Sequence, residues 1–246
     1  MSRFYVPKSK IKKNEIIIDG KEARHVLDVM RLRHKDDVVV FDGEGNEYAG
    51  FIKETINRPK GLVVQITHVK KTTDKSGAEI TLAQAIPKMN RMDYIVEKAT
   101  ELGVTRIIPM VSERTVVRPR ENACGKKTER WRKKAVAAAK QCGRRDLPVI
   151  TDIEEYGDVV GETDRYDLVL MACLSGNTMP LKEALAGIRA SKILFFIGPE
   201  GGFSPEEVAS LKNRNNCRYV SLGQRVLKSD TAGLYLLAVV GYELGA

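Results

Sequence analysis

The chain has 246 residues, 43% of them hydrophobic and 30% charged, with a formal net charge of +9. That length suits one large domain or two modest ones, and no apolar run reaches the roughly 18–20 residues that a membrane span needs. The N-terminal Met1-Ser2-Arg3-Phe4-Tyr5-Val6-Pro7-Lys8 has no apolar signal core, so a cytoplasmic, soluble protein is expected.

The charge is unevenly placed. Residues 113–145 carry twelve Lys or Arg against three Glu, residues 1–72 carry fifteen against ten acids, and the remainder is net acidic. Two concentrated basic regions point to a polyanionic partner, most often nucleic acid. The cysteines Cys124, Cys142, Cys173 and Cys217 form no C-x-x-C pair and lie far in sequence from His25, His34 and His68. No metal is expected, and four reduced cysteines suit a cytosolic chain.

Residues 1–72 read as short strands with tight turns. Strands are expected over 3–6 and 15–18, the second closing at Asp19-Gly20. Ala23, Val26, Leu27 and Met30 share a helical spacing over 22–30. Asp42-Gly43-Glu44-Gly45-Asn46 between strands 37–41 and 47–53 is a hairpin signal, and 62–69 alternates as another strand. The pattern suggests a small β-barrel. A polar linker is expected over 70–78.

Beyond it the rhythm changes. Strands are expected over 79–86, 104–111, 166–172, 192–197 and 218–222. Between them, Met92, Ile95, Val96, Ala99 and Leu102 trace a helical stripe, and helices are expected over 129–143, around Leu181, Leu185 and Ile188, over 204–214 and over 231–244. Strand and helix in turn imply an α/β domain, residues 73–246, with a mostly parallel sheet.

Two loops of that domain stand out. In Ile197-Gly198-Pro199-Glu200-Gly201-Gly202-Phe203-Ser204-Pro205-Glu206-Glu207, Ser204 is placed as N-cap, Pro205 at the first helical position and Glu207 to close a capping box. Gly201 and Gly202 permit positive φ and close approach of a ligand to backbone. The absence of a Lys-Ser/Thr pair after the glycines excludes a P-loop. The second, Leu222-Gly223-Gln224-Arg225-Val226-Leu227-Lys228-Ser229-Asp230-Thr231-Ala232, also ends in cap chemistry ahead of an apolar helix. Two such strand-end loops suggest one composite small-molecule site.

The paired segments resemble the signature of the RsmE family, bacterial 16S ribosomal RNA uridine-N3 methyltransferases of the SPOUT class. The likeness runs the length of the chain, through Ala23-Arg24-His25-Val26-Leu27, Phe41-Asp42-Gly43, Gln84-Ala85-Ile86-Pro87-Lys88, Lys98-Ala99-Thr100-Glu101-Leu102-Gly103, Ser112-Glu113-Arg114 and Gln141-Cys142-Gly143-Arg144. It implies a PUA-like, RNA-binding N-terminal barrel (1–72) and a C-terminal SPOUT domain (73–246) with a trefoil knot, usually completed by homodimerisation. It also implies an S-adenosyl-L-methionine pocket formed by Leu174, Ile197, Gly198, Glu200, Gly201, Gly202, Leu222, Gly223, Leu227, Thr231 and Ala232. The family commonly has Arg-Thr-Glu-Thr-Ala where this chain has Lys228-Ser229-Asp230-Thr231-Ala232.

The implied reaction removes the uridine N3 proton and displaces the sulfonium methyl in line. N3 lies on the pairing edge, so the base must be unpaired or flipped out. Glu200 or Asp230 is the expected base, and Arg114 or Arg144 is expected to steady developing negative charge or a phosphate. Lys133, Lys140 and Arg144 are expected to share a helix face opposite Trp131, Ala135, Ala138 and Cys142. With Arg31, Arg33, Lys88, Arg91 and Arg114 they are the expected contacts to 16S ribosomal RNA or the small ribosomal subunit. A SPOUT enzyme acting on ribose or another base is the nearest alternative. The barrel and basic regions alone also fit an RNA-binding assembly factor without catalysis.

Overall fold

The computed structural model describes residues 3–71, 77–174 and 176–244. The chain divides into two compact units, Met1–Asp74 with Ala139–Leu147, and Lys75–Ala138 with Pro148–Ala246. The return of residues 139–147 to the first unit has no signature in the sequence.

The first unit contains β1 (Arg3–Tyr5), β2 (Glu15–Asp19), α1 (Gly20–Arg24) with a π-helical extension His25–Val29, β3 (Asp37–Phe41), β4 (Asn46–Ile56) and β5 (Gly61–Lys71). The strands form a five-stranded sheet in the order β1-β3-β4-β5-β2, antiparallel except for β1 beside β3. Alternation places Phe4, Ile16, Ile18, Val38, Val40, Leu62 and Val64 in one core, sealed by Ala23 and Val26. The β3–β4 turn is organised by buried Asp42, whose carboxylate accepts from the backbone N–H groups of Glu44 (2.8 Å) and Asn46 (3.1 Å). β5 runs on through Lys70 and Lys71, and residues 72–76 of the expected linker lie outside the described residues.

The second unit begins with β6 (Glu79–Ala85), α2 (Arg91–Glu101), β7 (Arg106–Val111) and α3 (Glu121–Cys142). There follow β8 (Val149–Ile150), β9 (Glu154–Glu155), α4 (Tyr156–Gly161), β10 (Leu168–Ala172), β11 (Met179–Pro180) and α5 (Leu181–Leu185). It ends with β12 (Lys192–Ile197), α6 (Pro205–Ser210), β13 (Cys217–Ser221) and α7 (Ser229–Leu244). The eight-stranded sheet is parallel, in the order β11-β13-β10-β12-β6-β7-β8, with β9 also beside β7.

Both faces of this sheet are buried, as parallel sheets require. Ile80, Leu82, Ile107, Leu168, Leu170, Ile193, Phe195 and Ile197 point to one core with α2 and α7. Their strand neighbours Ala83, Ala85, Ile108, Met110, Val169, Met171, Leu194 and Phe196 point to the other, with Tyr156 and Val159 of α4 and Phe203. Period-two alternation thus decides which side chain packs under which helix.

Several expectations are corrected. The expected helix over 129–143 starts at Glu121 instead, because residues 121–128 are too polar to show an apolar stripe. Cys142 is exposed and Ala139 is buried in its place, because the stripe drifts as the helix ends. Leu102 is 38% exposed, at the C-cap of α2 and not on its buried stripe. The short β8, β9, α4 and β11 were not legible, being of two to six residues and lacking a period. The helix around Leu181 ends at Leu185, before Ile188, and α6 ends at Ser210.

Candidate functional site

β10 lies between β12 and β13 in the sheet, although the chain visits β12 and α6 before reaching β13. Ligands of open parallel sheets bind beyond the carboxyl ends of strands at such a reversal. A cleft of about 450 Å³ opens there, lined by residues 172–174 after β10, 197–203 after β12 and 221–229 after β13, with Arg114 and Ala232. That size lies within the range of small-molecule sites.

The 198–203 loop is held from every side. Gly202 N–H donates to Pro199 O at 2.9 Å, closing a turn with Gly202 at φ +68°. Of the two adjacent glycines, Gly202 alone takes a positive φ. A Cβ on Gly198 would stand 3.2 Å from the Gly202 backbone, so the loop folds tightly over that residue. Arg114 Nη1 donates to Gly201 O at 2.9 Å, and Lys88 N–H donates to Glu200 Oε1 at 2.9 Å.

The capping box forms as the sequence implies. Ser204 Oγ accepts from Glu207 N–H, Glu207 Oε2 accepts from Ser204 N–H at 2.9 Å, and Pro205 opens α6. Glu207 does more than cap, since its Oε1 accepts from Glu113 N–H at 2.8 Å. This buried carboxylate thereby ties the Arg114 segment to the loop that Arg114 itself bonds. Phe203 packs on Tyr156 at 5.7 Å between ring centroids. Burial drives the Tyr156 hydroxyl above its usual range, so it stays protonated and donates to Glu207 O at 2.6 Å.

Ser229, at the end of the second segment, reaches the first loop. Ser229 Oγ donates to Gly198 O at 2.6 Å and accepts from Gln84 Nε2 at 2.9 Å. Cys173, on the cleft wall, has its thiol pushed up to about 11 by burial, so it is a neutral apolar surface.

Of the residues expected to hold a cofactor, Leu174, Ile197, Gly198, Glu200, Gly201, Gly202, Leu222, Gly223, Leu227 and Ala232 line this one cleft, and Thr231 does not. Of the four expected catalytic groups, Glu200 and Arg114 line it. Asp230, in the first turn of α7, stands 3.5 Å from Arg91 Nη1. Arg144 belongs to the first unit and pairs with Asp146 at 2.7 Å. Lys140 is half-buried, bonds Glu22 at 2.9 Å and stands 5.6 Å from the Phe4 ring centroid. Arg31, Arg33, Lys88 and Lys133 are exposed. Sequence reasoning missed Gln84, the hydroxyl of Ser229 and the second bond of Glu207. Only the polarity of Gln84 amid an apolar strand could have flagged the first.

A parallel α/β sheet with a peptide-lined cleft at a strand-order reversal defines a small-molecule-binding protein. The description "RNA methyltransferase domain" fits residues 74–241, and "RNA methyltransferase PUA domain" fits residues 18–66. The chain is 28% identical to ribosomal RNA small subunit methyltransferase E of Bacillus subtilis, over 99% of this chain and 97% of that one. It is 32% identical to the enzyme of that name from Aquifex aeolicus, over 92% and 94%. Ribosomal RNA small subunit methyltransferase E of Neisseria gonorrhoeae, solved bound to S-adenosyl methionine, superposes with a TM-score of 0.83 at 29% identity, over 98% of this chain and 97% of that one. The chain belongs to the RNA methyltransferase family represented by these ribosomal RNA small subunit methyltransferases E.

Proposed function

We propose that this protein transfers a methyl group from S-adenosyl-L-methionine to N3 of a uridine in the 16S RNA of the small ribosomal subunit. The observation that carries the reading is the cleft itself, in which ten of eleven residues implied for the cofactor converge beyond β10, β12 and β13. Its chemistry fits the group. Peptide edges at Gly198, Gly201 and Gly223 suit the polar rim of a nucleoside, while Leu174, Leu222, Val226 and Leu227 offer apolar cover to its faces. The bound cofactor supplies an electrophilic methyl on a sulfonium.

The protein's own residues orient the partners and manage one proton. In this reading Glu200 accepts the N3 proton. One of its oxygens holds Lys88 N–H, and among the described residues the other accepts no hydrogen bond. Arg114, fixed to Gly201 O, places a cation at the cleft to stabilise the uridine anion. Asp230, held near Arg91 and accepting from Thr231 N–H in the first turn of α7, is the alternative base. Thr231, in the same turn, stands outside the cleft lining and is left out of the cofactor contacts.

Arg31, Arg33, Lys88, Arg91, Lys133, Lys140 and Arg144 grip the RNA backbone, Arg91, Lys140 and Arg144 the less so because each already has an acidic partner. The reading includes a PUA-like RNA-binding domain over 1–72, a SPOUT domain over 73–246 with a trefoil knot, a homodimer and a cytoplasmic location. The exposed Tyr235 and Tyr242 on the mostly apolar α7 support the dimer.

Mass mapping of ribosomal RNA from a deletion strain tests the target. A single N3-methyluridine should vanish from 16S RNA and return on complementation. Loss of a ribose methylation instead would move the enzyme to another substrate position, and an unchanged RNA would favour a non-catalytic assembly factor.

A further inference from the structure

Gln84 is the anomaly of the core beneath α2 and α7, on the face that β6 shares through Ile80 and Leu82. It lies on the central strand β6, fully buried, between Ala83 and Ala85. Its two N–H bonds are spent on Ser229 Oγ at 2.9 Å and Ala85 O at 3.1 Å, while its Oε1 is buried without a partner. The amide orientation is fixed by chemistry. Ser229 gives its only proton to Gly198 O, so it must receive one from Gln84, and a flipped amide would turn its oxygen toward Ala85 O. A buried acceptor left unsatisfied costs stability, and an apolar side chain of similar volume would avoid that cost. Room is also made for this amide. A Cβ on Gly233 of α7 would stand 3.0 Å from Gln84 Oε1.

We infer that Gln84 is a positioning residue for the cofactor site, acting through Ser229 to lock the 198–203 loop to the start of α7. It touches neither substrate nor cofactor and is absent from the cleft wall, whereas Ser229 and Gly198 both line it. The chain Gln84–Ser229–Gly198 joins three separate pieces of sequence, the end of β6, the loop after β12 and the N-terminus of α7. The Gln84 donor fills a lone pair of Ser229 Oγ and so fixes the hydroxyl in the orientation that gives its proton to Gly198 O. Without it, Ser229 can turn away and the two walls of the cleft lose their fixed spacing. The fold bears an unpaired oxygen to keep this relay, as functional sites do.

The inference rests on the S-adenosyl-L-methionine reading, and titration calorimetry of the full chain with that cofactor separates the two. No saturable heat with the wild-type protein would remove the cofactor reading itself. Given wild-type binding, Gln84→Met should raise the dissociation constant at least about tenfold, while its thermal midpoint stays equal or rises. Ser229→Ala should weaken binding by a similar factor, Ser229→Thr should restore it, and the double variant Gln84→Met/Ser229→Ala should be no worse than the weaker single. Steady-state kinetics on methylation should show the loss in KM for the cofactor more than in kcat. Affinity within twofold of wild type for Gln84→Met and Ser229→Ala, or additive losses in the double variant, would overturn the inference. Should Gln84→Met not fold, the Ser229→Ala and Ser229→Thr pair decides alone.

Discussion

The two loops that wall the cleft are built on opposite plans. The 198–203 loop is tied by its own turn, by Arg114, by Lys88, by the capping box and by Phe203 in an aromatic cluster. The 222–228 loop has little of this. Gly223 N–H reaches Ser221 Oγ at 3.4 Å, Gln224 and Arg225 are exposed, and Val226 is 76% exposed. One wall is densely hydrogen-bonded, and the other is largely exposed with few ties. Holding one side by hydrogen bonds lowers the cost of binding, and leaving the other open permits entry and release.

The contrast can be broken most severely at Gly198. Gly198→Ala puts a Cβ against the Gly202 backbone, and overpacking of this kind costs about 1–3 kcal/mol, equivalent to about 5- to 150-fold in cofactor affinity if the loop shifts. Calorimetry checks this, and wild-type affinity would show that the tight turn is irrelevant to binding.

Removing the tie beneath the densely bonded wall comes next. Glu207→Ala leaves Ser204 N–H and Glu113 N–H without their acceptor and should lower stability by about 1–3 kcal/mol in denaturant titrations. It should also impair turnover, because Arg114 follows Glu113. Arg114→Lys keeps a cation but loses the planar donor set at Gly201 O, so kcat should fall about tenfold with stability nearly unchanged.

The open wall should respond differently. Val226→Ala should alter stability by no more than about 0.5 kcal/mol, as at other exposed positions, yet measurably quicken cofactor release in stopped-flow experiments. The smallest expected effect is on pH. The thiols of Cys173 and Cys217 are both pushed up to about 11 by burial, while an unfolded thiol titrates near 8.5. Folded thiols therefore hold protons that unfolded ones release as pH rises. Their contribution to stability is whole below about pH 8.5 and falls as pH climbs toward 11, so unfolding midpoints should be flat from pH 7 to 8 and decline above pH 9. A rise in stability over that upper range would contradict the burial of these thiols.

Much of this architecture was legible in the sequence. Ser204-Pro205-Glu206-Glu207 announces its helix start because capping is local chemistry, and the cap forms as written. Core strands such as β10 and β12 announce themselves as short apolar runs with both neighbours buried. The pieces that escaped are those whose meaning is tertiary. Gln84 is one polar letter in an apolar strand until Ser229 arrives, 145 residues later, to accept its proton. Glu207 reads as a cap until Glu113 supplies a second donor. Lys140 and Arg144 read as a free basic face until Glu22 and Asp146 neutralise them. The grip of the 198–203 loop was therefore only half visible. Its turn and cap were on the page, but its long-range anchors were not.

The central claim, that this cleft serves methyl transfer to N3 of a uridine in small-subunit RNA, is met most directly by one assay. Purified protein is incubated with small ribosomal subunits from the deletion strain and S-adenosyl-L-methionine carrying an isotopically labelled methyl group, and the digested RNA is examined by mass spectrometry. The account predicts one labelled N3-methyluridine per 16S RNA, lost with Glu200→Gln if Glu200 takes the proton. Label on a ribose, on another base, or nowhere would contradict it.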